Sequence, residues 1–164
     1  MNMCSLELDF EEEDDLFVIG DAQQYLFFKA GGAIYAIDVA YVSEMIEYQA
    51  FTRVPMMEPF IKGVTNIRGS IVPVVDLLER FNLGATEVGA KTSMIIVNDI
   101  ALIIDEVHDV ANLQNENIKE SLDFGCKIQQ RFIQNMAKYN NTHIAILNCD
   151  EILNISELSI VKGS

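Results

Sequence analysis

The amino-acid sequence predicts a mainly β protein with short helices, built as two small barrels or sheets packed around a shared core. Three observations support this fold class. Short apolar runs alternate with tight-turn residues, helix signals are brief, and one order of elements occurs twice in 164 residues. Half of the residues are hydrophobic, which is enough to fill a buried core.

Each repeat begins with a pattern typical of a β-hairpin. Residues 25–38 contain two apolar runs around Gly31-Gly32, a pair that tolerates the positive φ angles of a tight turn. A shift of 67 residues brings residues 93–105 into register, where two apolar runs flank Asn98-Asp99. We therefore predict two hairpins of the same design.

The repeat continues at a shift of 72 residues. Residues 60–64 align with residues 132–136, and Gly63 matches Asn135. Glycine and asparagine are the residue types that most readily accept a left-handed backbone. We therefore expect a common tight bend at these two positions.

Each half then contains a strand that leads into a short helix. Residues 71–75 and 143–147 are predicted to be buried strands, and Pro73 indicates a sheet edge or a bulge in the first. Asp76 and Asn148 follow these strands and have a glutamate three residues later, which is the pattern of a helix N-cap with a capping box.

The charge distribution separates an acidic leader from the rest of the chain. Of the 25 acidic residues, seven lie before Gly20 and no basic residue does, so the net charge of -14 falls to -7 for the remainder. The leader is predicted to be a solvated, disordered tail, with a docking peptide for a basic partner as the alternative. An acidic body without clustered lysines or arginines repels phosphate backbones, so nucleic-acid binding is not expected.

Neither a membrane span nor a secretion signal is expected. No apolar run approaches the roughly 18 residues that a spanning helix needs, and the N-terminus lacks the basic-then-apolar order of a signal peptide. We therefore expect a cytoplasmic protein without direct membrane insertion.

Catalytic and metal-binding patterns are weak. Cys126, His143 and Cys149 do not have the spacing of a usual zinc site, so no metal or cofactor is expected. Asp38 and Asp105 each end a strand, as the two carboxylates of an aspartic-protease dyad do, but the Asp-Thr-Gly or Asp-Ser-Gly turn is missing. No other catalytic motif is found, so we do not expect an enzyme.

The most distinctive stretch is residues 52–76. Pro55 and Pro59 fix an extended or turning loop, and Arg68 lies on a tight loop between two glycines. Arginine has a rigid, planar fork of donors and is common at recognition surfaces. The alternative is that Arg68 only neutralises an acid of its own chain, with Glu44 as the candidate.

The run I-K-G-V-T-N-I-R-G-S-I-V-P-V-V-D-L, residues 61–77, closely resembles the signature of the CheW-type coupling proteins of bacterial chemotaxis. The resemblance extends over residues 24–158, through residues 37–39, 53–55 and 103–107. It implies two SH3-like β-barrels around a shared core, no catalytic activity, and an adaptor that couples chemoreceptor tips to the histidine kinase CheA. An adaptor in another chemosensory-type pathway, such as pilus motility or second-messenger control, is the alternative.

The family motif also implies a receptor-binding set, by position: Val42, Glu44, Lys62, Gly63 and Arg68. Val42 and Glu44 are two residues apart, so we expect them on one face of a strand, with core packing as the alternative for Val42. A side chain at Gly63 would obstruct either a packed receptor helix or the local bend.

The resemblance and the repeat together divide the chain. Residues 1–21 are the acidic leader and residues 22–160 the CheW-like domain, with subdomains at about 22–88 and 89–160 and room for strand exchange between them. The resemblance also implies that the two subdomains use different faces to join kinase domains head to tail in rings, and such heterologous contacts require unlike faces. The chain departs from the family pattern in its leader, in a short second hairpin, and at Ala101, Asn135 and Asn148.

Overall fold

Eleven strands and two short α-helices make up the residues that the structure, a computed structural model, describes: 22–55, 58–114, 118–120 and 128–154. The acidic leader, Cys4 and Cys126 lie outside these ranges. The mainly β fold class is confirmed. The strands are β1 (Ala22–Ala30), β2 (Ala33–Asp38), β3 (Val42–Glu47), β4 (Ile61–Ile67), β5 (Ser70–Asp76), β6 (Ser93–Val97), β7 (Ile100–Ile104), β8 (Glu106–Gln114), β9 (Ile118–Glu120), β10 (Ile133–Tyr139) and β11 (Thr142–Leu147), and the helices are α1 (Leu77–Arg80) and α2 (Cys149–Ile152).

The strands form two sheets, and each sheet takes strands from both halves of the sequence. The six-stranded sheet has the order β8-β1-β2-β11-β10-β9, and the five-stranded sheet has the order β3-β6-β7-β5-β4. The β1-β2 hairpin thus pairs with strands from the second half of the sequence, and the β6-β7 hairpin pairs with strands from the first half. We call the first sheet with α2 the six-stranded unit, and the second sheet with α1 the five-stranded unit.

Four hairpins in the described residues turn through a pair of residues with positive φ. Gly31-Gly32 has φ angles of 62° and 85°, and Asn98-Asp99 has 49° and 62°, so both predicted hairpins are confirmed. Asn140-Asn141 connects β10 to β11 with 53° and 62°, and Arg68-Gly69 connects β4 to β5 with 54° and 89°. Positive φ at both central residues matches the right-handed twist of the strands.

The bend predicted at Gly63 and Asn135 is a β-bulge in both repeats. The strand register shifts between Ile61 and Gly63, and again between Ile133 and Asn135. Gly63 has a φ of 156°, but Asn135 does not have a positive φ, so the left-handed backbone expected at Asn135 is wrong. In β10 the extra residue of the bulge is enough to bend the strand.

Most central strands are buried on both faces. In β6, Ile95 and Val97 pack in a core that the two units share, whereas Met94 and Ile96 pack inside the five-stranded unit. On the other side of the shared core, Phe27 packs in a separate cluster inside the six-stranded unit. Two barrel-like units around one shared core therefore explain why these strands are continuous apolar runs in the sequence.

The segment between β3 and β4 closes the five-stranded sheet on itself. The backbone N–H groups of Thr52 and Val64 each donate to the other residue's carbonyl oxygen, both at 2.8 Å. Gln49 Nε2 donates to Thr65 Oγ1 at 2.8 Å, and that hydroxyl donates to the Ala50 carbonyl oxygen at 2.9 Å. These bonds fix β4, and with it the arginine loop that follows.

The two predicted N-caps are confirmed on helices of one turn. Asp76 Oδ1 accepts from the Leu78 N–H at 3.0 Å, and Asn148 Oδ1 accepts from the Glu151 N–H at 3.2 Å. Asp76 Oδ2 also accepts from the Thr86 N–H at 2.8 Å, so one buried carboxylate holds both the helix start and the linker that follows.

Two residues at the starts of the predicted buried strands are exposed. Ile71 is 66% exposed and His143 is also exposed, because each lies beside a hairpin turn at the end of its unit. Pro73 lies opposite Val64 of β4, and the ladder to β7 begins only at Val74. Pro73 therefore stands at a local sheet edge, as predicted.

Asp38 and Asp105 are too far apart to form a dyad. Asp38 is the last residue of β2, and its Oδ1 accepts from the Ala40 N–H at 2.9 Å. Asp105 accepts from the Gly31 N–H at 2.8 Å, at the opposite end of β2. A strand of this length spans about 20 Å, so the two carboxylates cannot share a proton.

Replacing Gly63 with alanine tests the close approach of β4 to the segment before it. A Cβ there would lie 2.1 Å from the Thr52 carbonyl oxygen. Because paired backbone cannot move aside cheaply, we expect Gly63→Ala to lower the free energy of unfolding by about 3 kcal/mol. Gly69→Ala is the control, since nothing lies within 4 Å of its Cβ position. Its positive φ should cost only about 1 kcal/mol. Equal losses in urea unfolding would contradict the steric argument.

Candidate functional site

The arginine loop between β4 and β5 projects from the five-stranded unit into solvent. The Arg68 side chain is 80% exposed, and its Nη2 lies 2.9 Å from Oε1 of Glu44 on β3, which is 25% exposed. The contact with Glu44 that we considered as the alternative therefore exists. An exposed ion pair contributes only about 0–1 kcal/mol, so the guanidinium can exchange Glu44 for another carboxylate at little cost.

The backbone of Arg68 is in a conformation that arginine rarely adopts. Its φ is 54°, in the left-handed region, whereas the first residues of the other three two-residue turns are glycine or asparagine. An L-residue other than glycine loses about 1–2 kcal/mol there. The turn therefore folds at a cost that glycine or asparagine at this position would lower.

Asn66 explains how the loop tolerates Arg68. Its side-chain Oδ1 accepts from the Gly69 N–H at 2.8 Å, and its carbonyl oxygen accepts from Gln49 Nε2 at 3.1 Å. The first bond closes the turn around Arg68 and the second fixes its base. Sequence reasoning missed this role, although an asparagine three residues before a turn glycine is a recognisable signal.

Val42 and Glu44 lie on opposite faces of β3, so the prediction that they share a face is wrong. Val42 is opposite Val97 and Glu44 is opposite Ile96, which are adjacent residues of β6. The bulge at Ser43 adds one residue and so reverses the alternation. Val42 is partly buried and packs against the shared core, which agrees with the packing alternative.

The five residues predicted from the family motif do not form one cluster. Glu44 and Arg68 are in contact, but Lys62 forms an ion pair with Glu79 of α1 at the opposite end of β4, about 20 Å from Arg68 along the strand. Gly63 lies beside Lys62, and the close backbone of Thr52 accounts for the glycine.

An exposed apolar residue accompanies the arginine. Ile71 is opposite Asn66 in the same hairpin and borders an open groove of about 270 Å³, which Phe51 and Thr65 also line. Together with Arg68 and Glu44, this end of the five-stranded unit offers a guanidinium, a carboxylate and apolar area. Such a mixture is typical of surfaces that bind proteins.

The thiol of Cys149, the first residue of α2, is not suited to catalysis or metal binding. Burial, with a smaller contribution from the charges of Asp150 and Asp38, raises the pKa of Cys149 to about 12. A thiol is a nucleophile and metal ligand only as the thiolate. Among the described residues, no group of three or more His, Cys, Asp or Glu could hold a metal ion, and no helix is long and apolar enough to cross a bilayer.

Comparisons with known proteins agree on one family. The model of the CheW-like domain matches residues 24–157. The chemotaxis protein CheW of Klebsiella aerogenes is 29% identical over 145 residues, covering 86% of this chain and 87% of that protein, and its Bacillus subtilis counterpart is 32% identical over 139 residues, covering 82% and 89%. The crystal structure of the scaffolding protein TtCheW from Thermoanaerobacter tengcongensis superposes with a TM-score of 0.71 at 28% identity, covering 77% of this chain and 88% of that chain.

Arg68→Asn tests whether the arginine lowers the free energy of unfolding relative to a residue that suits the turn. Asparagine accepts the left-handed backbone more readily, and the ion pair to Glu44 is weak. We expect the free energy of unfolding to stay unchanged or to rise by about 0.5–1 kcal/mol in urea unfolding. A loss of more than about 1 kcal/mol would instead give Arg68 a folding role.

The alkaline limb of the stability curve tests the burial of Cys149. Its pKa rises on folding from an ordinary 9.0 to about 12, so between these values the folded chain keeps a proton that the unfolded chain has lost. The free energy of unfolding therefore falls as the pH rises through this window, and the contribution is fully present below it. Cys149→Ala should show a shallower fall than the unmodified chain; equal slopes would contradict the raised pKa.

Proposed function

The chain belongs to the CheW-like domain family, and we propose that this chemotaxis scaffold couples chemoreceptor cytoplasmic tips to the histidine kinase CheA. The observation that carries the proposal is the exposed Arg68, held in a left-handed turn by Asn66. The extent of the family match supports it, since residues 24–157 include every strand after the first two residues of β1.

For the receptor, we propose that Arg68 and Glu44 make the direct contacts. The guanidinium has two donor edges, so it can bind an acidic residue of the receptor tip through paired hydrogen bonds. Glu44 would be displaced from Arg68 and offered to a donor of the receptor. The other three predicted residues would act indirectly. Val42 packs against the shared core, Lys62 forms an ion pair with Glu79, and Gly63 lies against the backbone of Thr52.

For the kinase, we propose that the two units use different surfaces. Among the large apolar residues that are exposed, Met45 lies on β3, an edge strand of the five-stranded sheet, and Val110 lies on β8, an edge strand of the six-stranded sheet. Each unit therefore has a sheet edge at which a protein partner can add contacts. Two unlike contacts on one molecule can close into a ring with a second protein.

We also infer that the chain acts in the cytoplasm, at receptor arrays, and without catalysing a reaction. The separation of Asp38 from Asp105 removes the one catalytic arrangement that the sequence suggested, and Cys149 is protonated at neutral pH. An adaptor in another chemosensory-type pathway would use the same surfaces, so partner identity separates the two.

The test is co-purification of the chain with a chemoreceptor signalling fragment and CheA. We expect Arg68→Glu to weaken binding of the receptor fragment about 10-fold or more, because it places a second carboxylate beside Glu44. Binding to CheA should change less than about twofold, and the circular dichroism spectrum should stay the same.

Lys91→Glu is a matched control on the same chain. Lys91 is also 80% exposed, and its Nζ lies 3.6 Å from Glu106, which is 26% exposed. Equal weakening by both variants would mean a general charge effect, and no weakening by Arg68→Glu would remove this surface from the proposal. If the chain bound the receptor and kinase of another chemosensory system but not the chemoreceptor fragment and CheA, the alternative pathway would be favoured.

A further inference from the structure

A buried arginine, Arg80, joins the two units. It lies at the end of α1 in the five-stranded unit and is 6% exposed. Its Nε donates to the Ile152 carbonyl oxygen at 2.8 Å, and its Nη2 donates to the Glu151 carbonyl oxygen at 3.0 Å. Both acceptors belong to α2 of the six-stranded unit, where a helix end concentrates partial negative charge.

Two aromatic rings from the two units enclose the same guanidinium. Its central carbon lies 4.6 Å from the ring centroid of Phe60 and 4.9 Å from that of Phe132. Phe60 precedes β4 and Phe132 precedes β10, so each unit supplies one ring. Cation–π attraction strengthens when the guanidinium is taken out of water, as it is at this buried position.

The internal repeat gives this contact its special position. Phe60 and Phe132 are related by the 72-residue shift, and so are Arg80 and Ile152. The carbonyl oxygens of the two phenylalanines also accept equivalent bonds, from the N–H of Asp76 at 2.9 Å and of Asn148 at 2.8 Å. Residues that are related by the repeat and also touch each other must lie near the axis that relates the two units.

Near this axis the two halves of the sequence carry different residues, Arg80 in the first and Ile152 in the second. Two arginines there would place like charges a few ångströms apart in a buried site, which is strongly unfavourable. Arginine opposite isoleucine lets one guanidinium bind the backbone of the other half. The contact therefore has a direction, whereas the apolar shared core is held by a non-directional force.

We propose that Arg80 is a positioning residue that fixes the orientation of the two units, and through it the relation between their partner-binding surfaces. The inference rests on the proposed function, since an adaptor needs a fixed geometry only if it binds two partners at once. Arg80 touches neither surface, so it acts through the angle between the units.

Arg80→Met tests the proposal, with Arg131→Met as a matched control. Methionine keeps an apolar stem between the two rings but donates no hydrogen bond. Arg131 stacks 4.4 Å from the same Phe132 ring and its Nη1 lies 3.4 Å from Oε1 of Glu151, but it is 39% exposed, and both of these partners belong to the six-stranded unit.

Three binding measurements separate positioning from simple loss of structure. For Arg80→Met we expect binding to the receptor fragment alone, and to CheA alone, to change less than about threefold. Assembly of the three-component complex should fall about 10-fold or more, because simultaneous engagement depends on geometry. Arg131→Met should change none of the three by more than about twofold.

A direct measurement of geometry does not depend on the partners. Spin labels at positions 47 and 142, one on each unit, in a background with Cys4 and Cys126 replaced by serine, should give one narrow distance distribution. Arg80→Met should broaden or shift it. If the methionine variant does not fold, Arg80→Lys replaces it, because lysine keeps the charge but lacks the planar set of donors. Its distance distribution should be intermediate in width.

Two outcomes would overturn the role of Arg80. One is that Arg80→Met changes neither the distance between the labels nor the assembly of the three-component complex. The other is that it weakens binding to the receptor fragment and to CheA as much as it weakens assembly. If the unmodified chain bound neither partner, the proposed function would fail instead, and the label distances would still decide whether Arg80 fixes the orientation of the units.

Discussion

The structure depends on the constraint that its central strands bury both faces. A small single sheet cannot satisfy strands such as β6, in which Met94 and Ile96 face one core while Ile95 and Val97 face another. Two units back to back solve the problem, since each encloses one face and both share the other. The side chains of the central strands are then buried in the cores. Partner proteins can therefore be bound only by turns, sheet edges and the ends of the units.

The arginine loop shows how recognition is added to such a frame. Arg68 occupies a turn position where glycine or asparagine would fold more easily. The Gly69 N–H donates to Asn66 Oδ1, and this bond closes the turn around Arg68. The barrel closure through Thr52 and Val64 fixes the strand beneath. Rigid support under an exposed, weakly paired side chain reduces the entropy lost on binding.

Features set by local chemistry were the ones that sequence could predict. The Gly31-Gly32 turn and the Asp76 cap follow from residue types that act within a few positions, and the family run placed Arg68 on a loop. The bulge at Ser43 and the exposure of Ile71 were missed, because both depend on the neighbouring strand and on where the unit ends. The exchange of hairpins between the units likewise depends on contacts between distant segments, which a repeat pattern does not specify.

A duplicated fold gains the use of two different partners only when its halves become unlike and still keep one orientation. The units already differ in strand number, six against five, and in the turn that Arg68 occupies. At the axis the difference between Arg80 and Ile152 is what permits the cross-bond, because an identical pair would repel or leave the α2 carbonyl groups without this donor. Arg80 therefore differs from its counterpart in the repeat and, through that difference, holds the two units in one orientation.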